Sequence, residues 1–223
     1  MSKLIDLTHT ITENIPTWDG TSGFGMEVTT NYTDCTPPDL FRIQKFNCNA
    51  GIGTHIDSPA HVIEGGRTVD QLELNELVVP CIVIDVSAEA NENFVITPEV
   101  VENYEKEHGV ISENSLVIFH TGWSKYWNTP EKYINNHIFP SVSLETAQIL
   151  VKRNIAGLGT DTLSCDTGKQ GFPVHNCILG ANKFLIENIV NAELLTNTEV
   201  KVTILPLKIK GATESPIRLI AEI

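Results

Sequence analysis

The stretch "GIGTHIDSPAH" at positions 51–61 sets His55, Asp57 and His61 within a few residues of one another. Imidazole nitrogens and carboxylate oxygens are ligands suited to zinc, manganese or iron. If residues 53–57 are extended, His55 and Asp57 project to one face, because side chains alternate along a strand. Pro59 then turns the chain and lets His61 swing back toward that face, with Ser58 ahead of it biased to extended geometry. A carboxylate beside two imidazoles can also bridge two metals. The competing reading is a loop stabilised by Asp–His hydrogen bonds. Three donors do not close a metal site, so others must come from elsewhere. His175, after Pro173 at the entry of a short helix in "GFPVHNCILG", is one. Glu187, a charge inside the apolar run "FLIENIV", is another. Buried, such a carboxylate needs a cation, a metal or a proton; on an edge strand it simply faces solvent.

The elements that must deliver these side chains can be read from pattern. "LIDLTHTI", "MEVTTNYT", "SLVIFHTG" and the dense apolar run "VVPCIVIDVSA" read as strands. "NIPTWDGTSGFG" is a loop, and "FRIQKFNCNAGIGTHID" is extended in parts. "TPEVVENYEKEHG" is a punctuated helix, with a threonine cap, proline at its first position, early glutamates and a closing glycine. "TPEKYINNH" is a short helix. "SLETAQILVKRN" is an amphipathic one, with Leu144, Ala147, Leu150 and Val151 as its stripe. "IAGLGTDT" is a short buried strand, "FLIENIV" is strand or helix, and "KVTILPLKI" and "IRLIAEI" are late strands joined by the turn segment "KGATESP". Strands and helices mix without a clean βα repeat. The expectation is one α/β domain over 1–223, with a mixed, curled β-sheet core flanked by helices.

Composition narrows the partners. The 223 residues suffice for one sizeable core. Fifteen Lys and Arg against 28 Asp and Glu give −13, which repels nucleic-acid phosphate and anionic lipid. Five cysteines, an odd count without a CxxC, argue for reduced thiols rather than a disulfide scaffold or zinc knuckle. "MSKLIDLTHTI" lacks a signal-peptide core, and "LVVPCIVIDV" is too short to span a bilayer. A cytoplasmic protein acting on a small molecule, with no nucleic acid and no membrane, is expected. "GTDTLSCDTGKQG" lacks the order of a phosphate loop.

"GTHIDSPAH" resembles the hallmark of the cyclase-like metal-dependent hydrolases, which include bacterial kynurenine formamidases and isatin hydrolases. "IDLTHTITENIPTW", "FHTGW", "GLGTDTLSCD", "HNCILG", "LIENIVN" and "LPLKIKGATESPIRLIAEI" resemble the family's other landmarks in order, so the likeness spans nearly the whole chain. It implies the swivelling β/β/α type of fold and a zinc or manganese cofactor, with one or two ions per chain. It implies His55, Asp57, His61, His175 and Glu187 as metal-site residues, Asp57 and Glu187 being able to bridge. His61 or His175 would serve proton transfer, and Trp18 and Phe24 would line the substrate side. A homodimer or homotetramer is implied as well.

One position departs from the resemblance. The family pattern reads His-x-Gly-Thr-His-x-Asp, and Gly51 stands where its first histidine belongs. That metal position is expected to be weakened, reshaped or vacant, with Asn49 a doubtful substitute and Gly51→His expected to raise metal content or shift metal preference. The reaction implied is hydrolysis of an amide-type C–N bond other than a peptide bond, with a formamide of the kynurenine type as substrate. A bound metal would lower the pKa of water and polarise the carbonyl, and His61 would relay the proton. An isatin-like ring, lactam or cyclic imide is the alternative substrate. A lyase, or a metal- or small-molecule-binding protein without turnover, is the alternative of another class. His9 is either near the site or structural, and His120 packs or orients a loop. His108 and His137 are expected at the surface. Asp161 and Asp166 are expected to shape the loops around His175, and neither Cys165 nor Cys177 shows a nucleophilic Cys–His–Asp pattern.

Overall fold

The computed structural model describes residues 3–168, 171–195 and 200–223. Lys169 and Gln170, in the stretch excluded as a phosphate loop, and the first two residues of the N-terminal stretch lie outside the described residues. The strands are β1 (Leu4–Asp6), β2 (Phe24–Thr30), β3 (Ile43–Cys48), β4 (His55–Asp57), β5 (Val78–Asp85), β6 (Val95–Ile96), β7 (Leu116–His120), β8 (Ser141–Val142), β9 (Gly157–Thr160), β10 (Phe184–Glu187), β11 (Val200–Pro206) and β12 (Glu214–Glu222). The α-helices are α1 (Pro98–His108), α2 (Pro130–Ile134), α3 (Leu144–Lys152) and α4 (Pro173–Gly180).

The main sheet runs β1-β12-β11-β5-β7-β9-β10-β4, and β4 also pairs with β12, so seven strands close into a barrel. β5, β7, β9 and β10 are parallel neighbours; the other pairings are antiparallel. The mixed, curled sheet expected from sequence is therefore a closed one. Closure removes exposed edges from all seven strands. β1 and β4 share one side of β12 at opposite ends.

Alternation along the strands sorts side chains between two cores. Leu116, Ile118, Ile56, Ile186, Val202, Ile204 and Leu219 fill the barrel. Val117, Phe119, Leu158 and Leu185 point outward and pack against helical residues such as Val101, Ala147, Leu150, Val174 and Ile178. β7 is buried on both faces, which is why "LVIFH" is apolar without alternation. β9 contributes Gly157 and Gly159 to the barrel side. A Cβ on Gly157 would overlap the Phe184 ring, and one on Gly159 would come within 2.7 Å of Ile189 Cδ1. These glycines give up side chains so that larger ones from neighbouring strands fill the interior.

α3 carries the expected stripe, with Ala147 and Leu150 buried and Leu144 and Val151 half-buried. Thr146 is buried as well, its hydroxyl donating to the Ile96 carbonyl at 2.8 Å. The N-terminal loop packs Ile15 onto Ile52, Trp123, Trp127 and Tyr133 in a third cluster. β2 and β3 form a separate hairpin, with Met26, Val28, Ile43 and Phe46 exposed on it.

Candidate metal centre

The site is made by strand register. β4 lies between β10 and β12, with Glu187 directly opposite His55 and Glu214 directly opposite Asp57. Residues paired across strands share a face, and His55 and Asp57, two apart, share it too. That face is the outward one; Ile56, Ile186 and Ser215 take the other. α4 covers the outward face and brings His175.

The entry of α4 is fixed by Asp166. Its Oδ1 accepts from Val174 N at 3.1 Å and its Oδ2 from His175 N at 2.9 Å. The helix has no side-chain cap of its own, so a carboxylate from the preceding loop satisfies its first donors and complements its dipole. Asp166 Oδ2 also accepts from His175 Nδ1 at 2.8 Å. A carboxylate there makes Nδ1 the protonated nitrogen and leaves the Nε2 lone pair free. His55 is oriented the same way: its Nδ1 donates to the Gly53 carbonyl at 2.9 Å. Holding one imidazole nitrogen by an acceptor while the other faces a donor cluster is how ligating histidines are positioned.

Both Nε2 atoms point at the same two carboxylates. His55 Nε2 is 3.5 Å from Asp57 Oδ1 and 3.6 Å from Glu187 Oε2. His175 Nε2 is 3.7 Å from Asp57 Oδ2 and 3.4 Å from Glu187 Oε1. Donors bonded tetrahedrally to one zinc ion stand about 3.4 Å apart. Asp57 is 1% exposed, and neither of its oxygens has a hydrogen-bond partner. An uncompensated buried carboxylate costs several kcal/mol. Burial pushes the Asp57 carboxyl upward against the pull of His55, while Glu187 is held down despite burial by its hydrogen bond to His175. The His55 imidazole is disfavoured as a cation by burial, yet Asp57 and Glu187 raise it. Three triads, Asp57–His61–His175, His55–Asp57–Glu187 and Cys165–His175–Glu187, each bring one donor atom apiece within 4.8 Å. The residues present fit a divalent cation: it would supply the positive charge and the partner that the Asp57 oxygens lack.

His61 follows Pro59 in a single 3-10 turn and stands at the mouth. Its Nδ1 is 3.3 Å from Glu214 Oε2, and its ring centre is 5.9 Å from that of His175. The hydrogen bond to Glu214 raises its pKa. The Glu214 carboxyl is opposed by burial but lowered by His61 and His55. Nothing in "KGATESP" had marked Glu214, since the segment reads as a turn; only the β12–β4 register brings it here.

The remaining expectations resolve individually. Trp18 stacks on His137 at 4.1 Å and leans on Phe172 at 5.7 Å, and the Phe172 ring meets His175 edge-on at 5.4 Å. Phe24 instead packs against Phe46 and the cluster around Ile52. His137 is not a free surface group: its Nε2 lies 2.7 Å from the Trp18 carbonyl oxygen, because a left-handed turn at Asn135–His137 directs it inward. His108 is exposed. Asn49 stands against Gly23, its N–H donating to the Gly23 carbonyl at 2.8 Å. Asp161 does not serve His175; it accepts from Thr121 N, Thr121 Oγ1 and Trp123 N and pairs with His120. His9 is buried on the Trp127 ring at 3.8 Å, a structural position, and burial lowers its pKa to about 4. Cys165 sits with a histidine and an aspartate, its Sγ 3.5 Å from His175 Nδ1, which also bonds Asp166, but the arrangement is not a nucleophilic one. Burial pushes that thiol up to about 12, so it stays protonated and is not a nucleophile.

A closed mixed barrel carrying an outward cluster of two imidazoles and two carboxylates defines a metal-binding α/β domain. The model of the Putative cyclase family matches residues 5–167, and the chain belongs to that family. The chain is 31% identical to the isatin hydrolase of Roseibium aggregatum, over 76% of this chain and 70% of that one. It is 26% identical to the kynurenine formamidase of Bacillus cereus, over 98% and 97%. Among solved structures, isatin hydrolase A from Ralstonia solanacearum superposes with a TM-score of 0.90 at 29% identity, covering all of this chain and 92% of that one.

Proposed function

We propose that this protein is a metal-dependent hydrolase that cleaves an amide-type C–N bond, other than a peptide bond, in a small aromatic or cyclic substrate. The observation that carries this is the convergence of His55, Asp57, His175 and Glu187 with both Asp57 oxygens buried and unpartnered. His55, Asp57, His175 and Glu187 hold one or two divalent ions, zinc or manganese, with His61 at the rim. A bound divalent cation supplies Lewis acidity and lowers the pKa of water toward neutrality.

The chain's own groups do the rest. Gly53 and Asp166 fix the two imidazoles by their Nδ1 protons, so their Nε2 atoms stay basic. His61, held through Nδ1 by Glu214, takes a proton at its other nitrogen and passes it toward the mouth. Trp18, carried by His137 and continued by Phe172, forms an aromatic wall for the substrate ring; Phe24, packed on Phe46 and the Ile52 cluster, makes none of those ring contacts. The apolar residues Met26, Val28, Ile43 and Phe46, exposed together on the β2–β3 hairpin, support assembly into a homodimer or homotetramer. Among the described residues no helix is long and apolar enough to cross a membrane. The net charge of −13 supports a role without nucleic-acid partners, and a cytoplasmic location belongs to the same reading.

Two substrate classes compete. Open-chain formamides of the kynurenine type correspond to one group of relatives, and isatin-like cyclic amides to the other. The similarity to isatin hydrolases, at 31% in sequence and a TM-score of 0.90 in structure, favours the cyclic amide. The test is turnover of isatin and N-formylkynurenine by protein loaded with manganese or zinc, read by product mass. Gain of one water on the ring substrate supports the favoured reading, and its loss in His61→Ala supports the relay. An altered mass without added water identifies a lyase. Tight ligand binding without turnover of either substrate under both metals identifies a binding protein and overturns the proposal.

A further inference from the structure

We infer that Glu214 is itself a ligand of this centre when a cation is bound, its Oε1 standing in the space that Gly51 leaves open. The inference rests on the metal-hydrolase reading and deepens it: the departure at Gly51 is a replacement of one donor by another, not a loss.

Four observations converge. First, a Cβ added to Gly51 would overlap Glu214 Oε1 and lie 3.3 Å from Glu214 Cδ and 3.4 Å from His55 Nε2. The side-chain direction at residue 51 therefore points at the nitrogen that faces the two buried carboxylates, and the Glu214 carboxylate already occupies it. Second, the Gly51 backbone is not in the left-handed region that favours glycine, unlike Gly53 at φ +64°. Conformation does not demand a glycine at 51; the neighbouring carboxylate does. Third, Glu214 is anchored. It is the first residue of β12, and its Cα partner is Asp57, so its side chain rises from the same face, one strand over. Its two oxygens divide their work: Oε2 holds His61 Nδ1 at 3.3 Å while Oε1 is the atom above Gly51. Fourth, Asp57 beside it is almost fully buried with both oxygens unpartnered, which marks this spot as a place for a cation rather than a solvated acidic cluster. Glu214 lies outside the three tight triads, on the His61 side, its side chain 23% exposed. As a ligand it would close the centre on that side.

Replacing an imidazole by a carboxylate makes the centre harder and more negative. Oxygen-rich sets suit manganese, whereas imidazole suits zinc. The same geometry reverses the expectation for Gly51→His. The imidazole would compete with Glu214 for one space, so the single substitution lowers metal affinity, and only its combination with Glu214→Gly makes room for it.

The experiment titrates metal-free protein with MnCl2 and separately with ZnCl2 by calorimetry, with metal content after dialysis and melting of the metal-free forms as companion readouts. Glu214→Gln is expected to lower manganese affinity on the order of tenfold to a hundredfold, with little change in metal-free melting. Gly51→His is expected to lower it too, and Gly51→His/Glu214→Gly to recover binding with the preference moved toward zinc. Should Gly51→His fail to fold, Gly51→Ala tests the same displacement, since its Cβ alone meets Glu214 Oε1. If Glu214 only positioned His61, Glu214→Gln would bind manganese as the wild type does, since no ligand would be lost. That result, or a double variant that binds no better than Gly51→His, overturns the inference alone. Absence of metal binding by the unaltered chain overturns the metal-hydrolase reading and this inference with it.

Discussion

Removing the Asp166 carboxylate separates positioning of a ligand from simple capping of a helix. Asp166 accepts three hydrogen bonds, from Val174 N, His175 N and His175 Nδ1, and it is 2% exposed. Asp166→Ala deletes the acceptor at the entry of α4, a loss of about 1 kcal/mol by analogy with a helix cap. It also leaves the buried His175 Nδ1–H with only the weak acceptor Cys165 Sγ at 3.5 Å, which costs about 1–3 kcal/mol. A stability loss of about 2–4 kcal/mol follows, read as a shift of the urea midpoint in metal-free protein. The functional consequence is separate. Without Asp166 only the weak Cys165 sulfur faces Nδ1, and a proton on Nε2 instead faces Asp57 and Glu187 and removes the lone pair. Loss of such a supporting acceptor weakens metal binding tenfold to a hundredfold, about 1.4–2.8 kcal/mol. Competition with a chromogenic chelator measures it. Asp166→Asn is milder, because an amide oxygen placed where Oδ2 was still serves both His175 donors and only Val174 N is left facing an amide nitrogen. Metal affinity should therefore rank wild type, then Asn, then Ala. If Asp166→Ala loses stability but keeps metal affinity within twofold of wild type, Asp166 is a helix cap alone and the orientation argument for His175 is wrong.

Three further outcomes follow from packing and burial. Tyr133 is fully buried, with its hydroxyl 2.9 Å from both the Asp161 carbonyl oxygen and Asn188 Oδ1; Tyr133→Phe should lower stability by about 1–3 kcal/mol with metal content unchanged, and a neutral substitution would mean water replaces the hydroxyl. Gly157→Ala drives a Cβ into the Phe184 ring inside the barrel and should lower the melting temperature by an amount corresponding to about 1–3 kcal/mol; an unchanged melt would mean the ring moves freely, against a tightly filled interior. His9, lowered to about 4 by burial against the opposing field of Asp161, is neutral in the folded chain where the unfolded chain at about 6.5 takes a proton. As pH falls from about 6.5 to 4 the unfolded state binds more protons, so stability falls, by at most about 3 kcal/mol from this group. His9→Phe keeps a ring on Trp127 and should remove that part of the slope; parallel stability curves for variant and wild type would show that His9 does not titrate in this window.

The difference between what the sequence disclosed and what needed coordinates lies in register. His55 and Asp57 could be placed on one face because alternation is local, and Pro59 announced the turn to His61. His175 could be set at a helix entry because Pro173 marks the first helical position. The helix α1 was legible throughout, since its threonine, proline and glycine punctuation is chemical. Glu187 was marked by the charge that interrupts an apolar run and by the family resemblance. That reasoning cannot reach Glu214. It sits in a segment rich in turn formers, and its relevance arises from pairing with a residue 157 positions away. The same blindness applies to Cys165, whose neighbour His175 is supplied by a loop folding back, and to His137, where three consecutive asparagine and histidine residues adopt positive φ.

Register also explains why the centre depends on barrel closure. β4 has only three residues, and both of its sides are paired, by β10 and by β12. A slip of one residue between β4 and β12 would turn Glu214 inward and bring its neighbours Thr213 or Ser215 onto the outward face, since strand faces alternate. The slip is resisted from the opposite side of the face. Ser215 and Ile56 are buried in the barrel, Ile217 N donates to the Thr54 carbonyl at 3.0 Å, and Ser58 Oγ donates to the Thr213 carbonyl at 2.8 Å. The apolar interior thus fixes which carboxylate stands opposite Asp57. A change of donor at residue 51 could then be compensated at residue 214 without altering the fold, because the register that joins the two positions is set by buried side chains on the inward face and by bonds to the backbone.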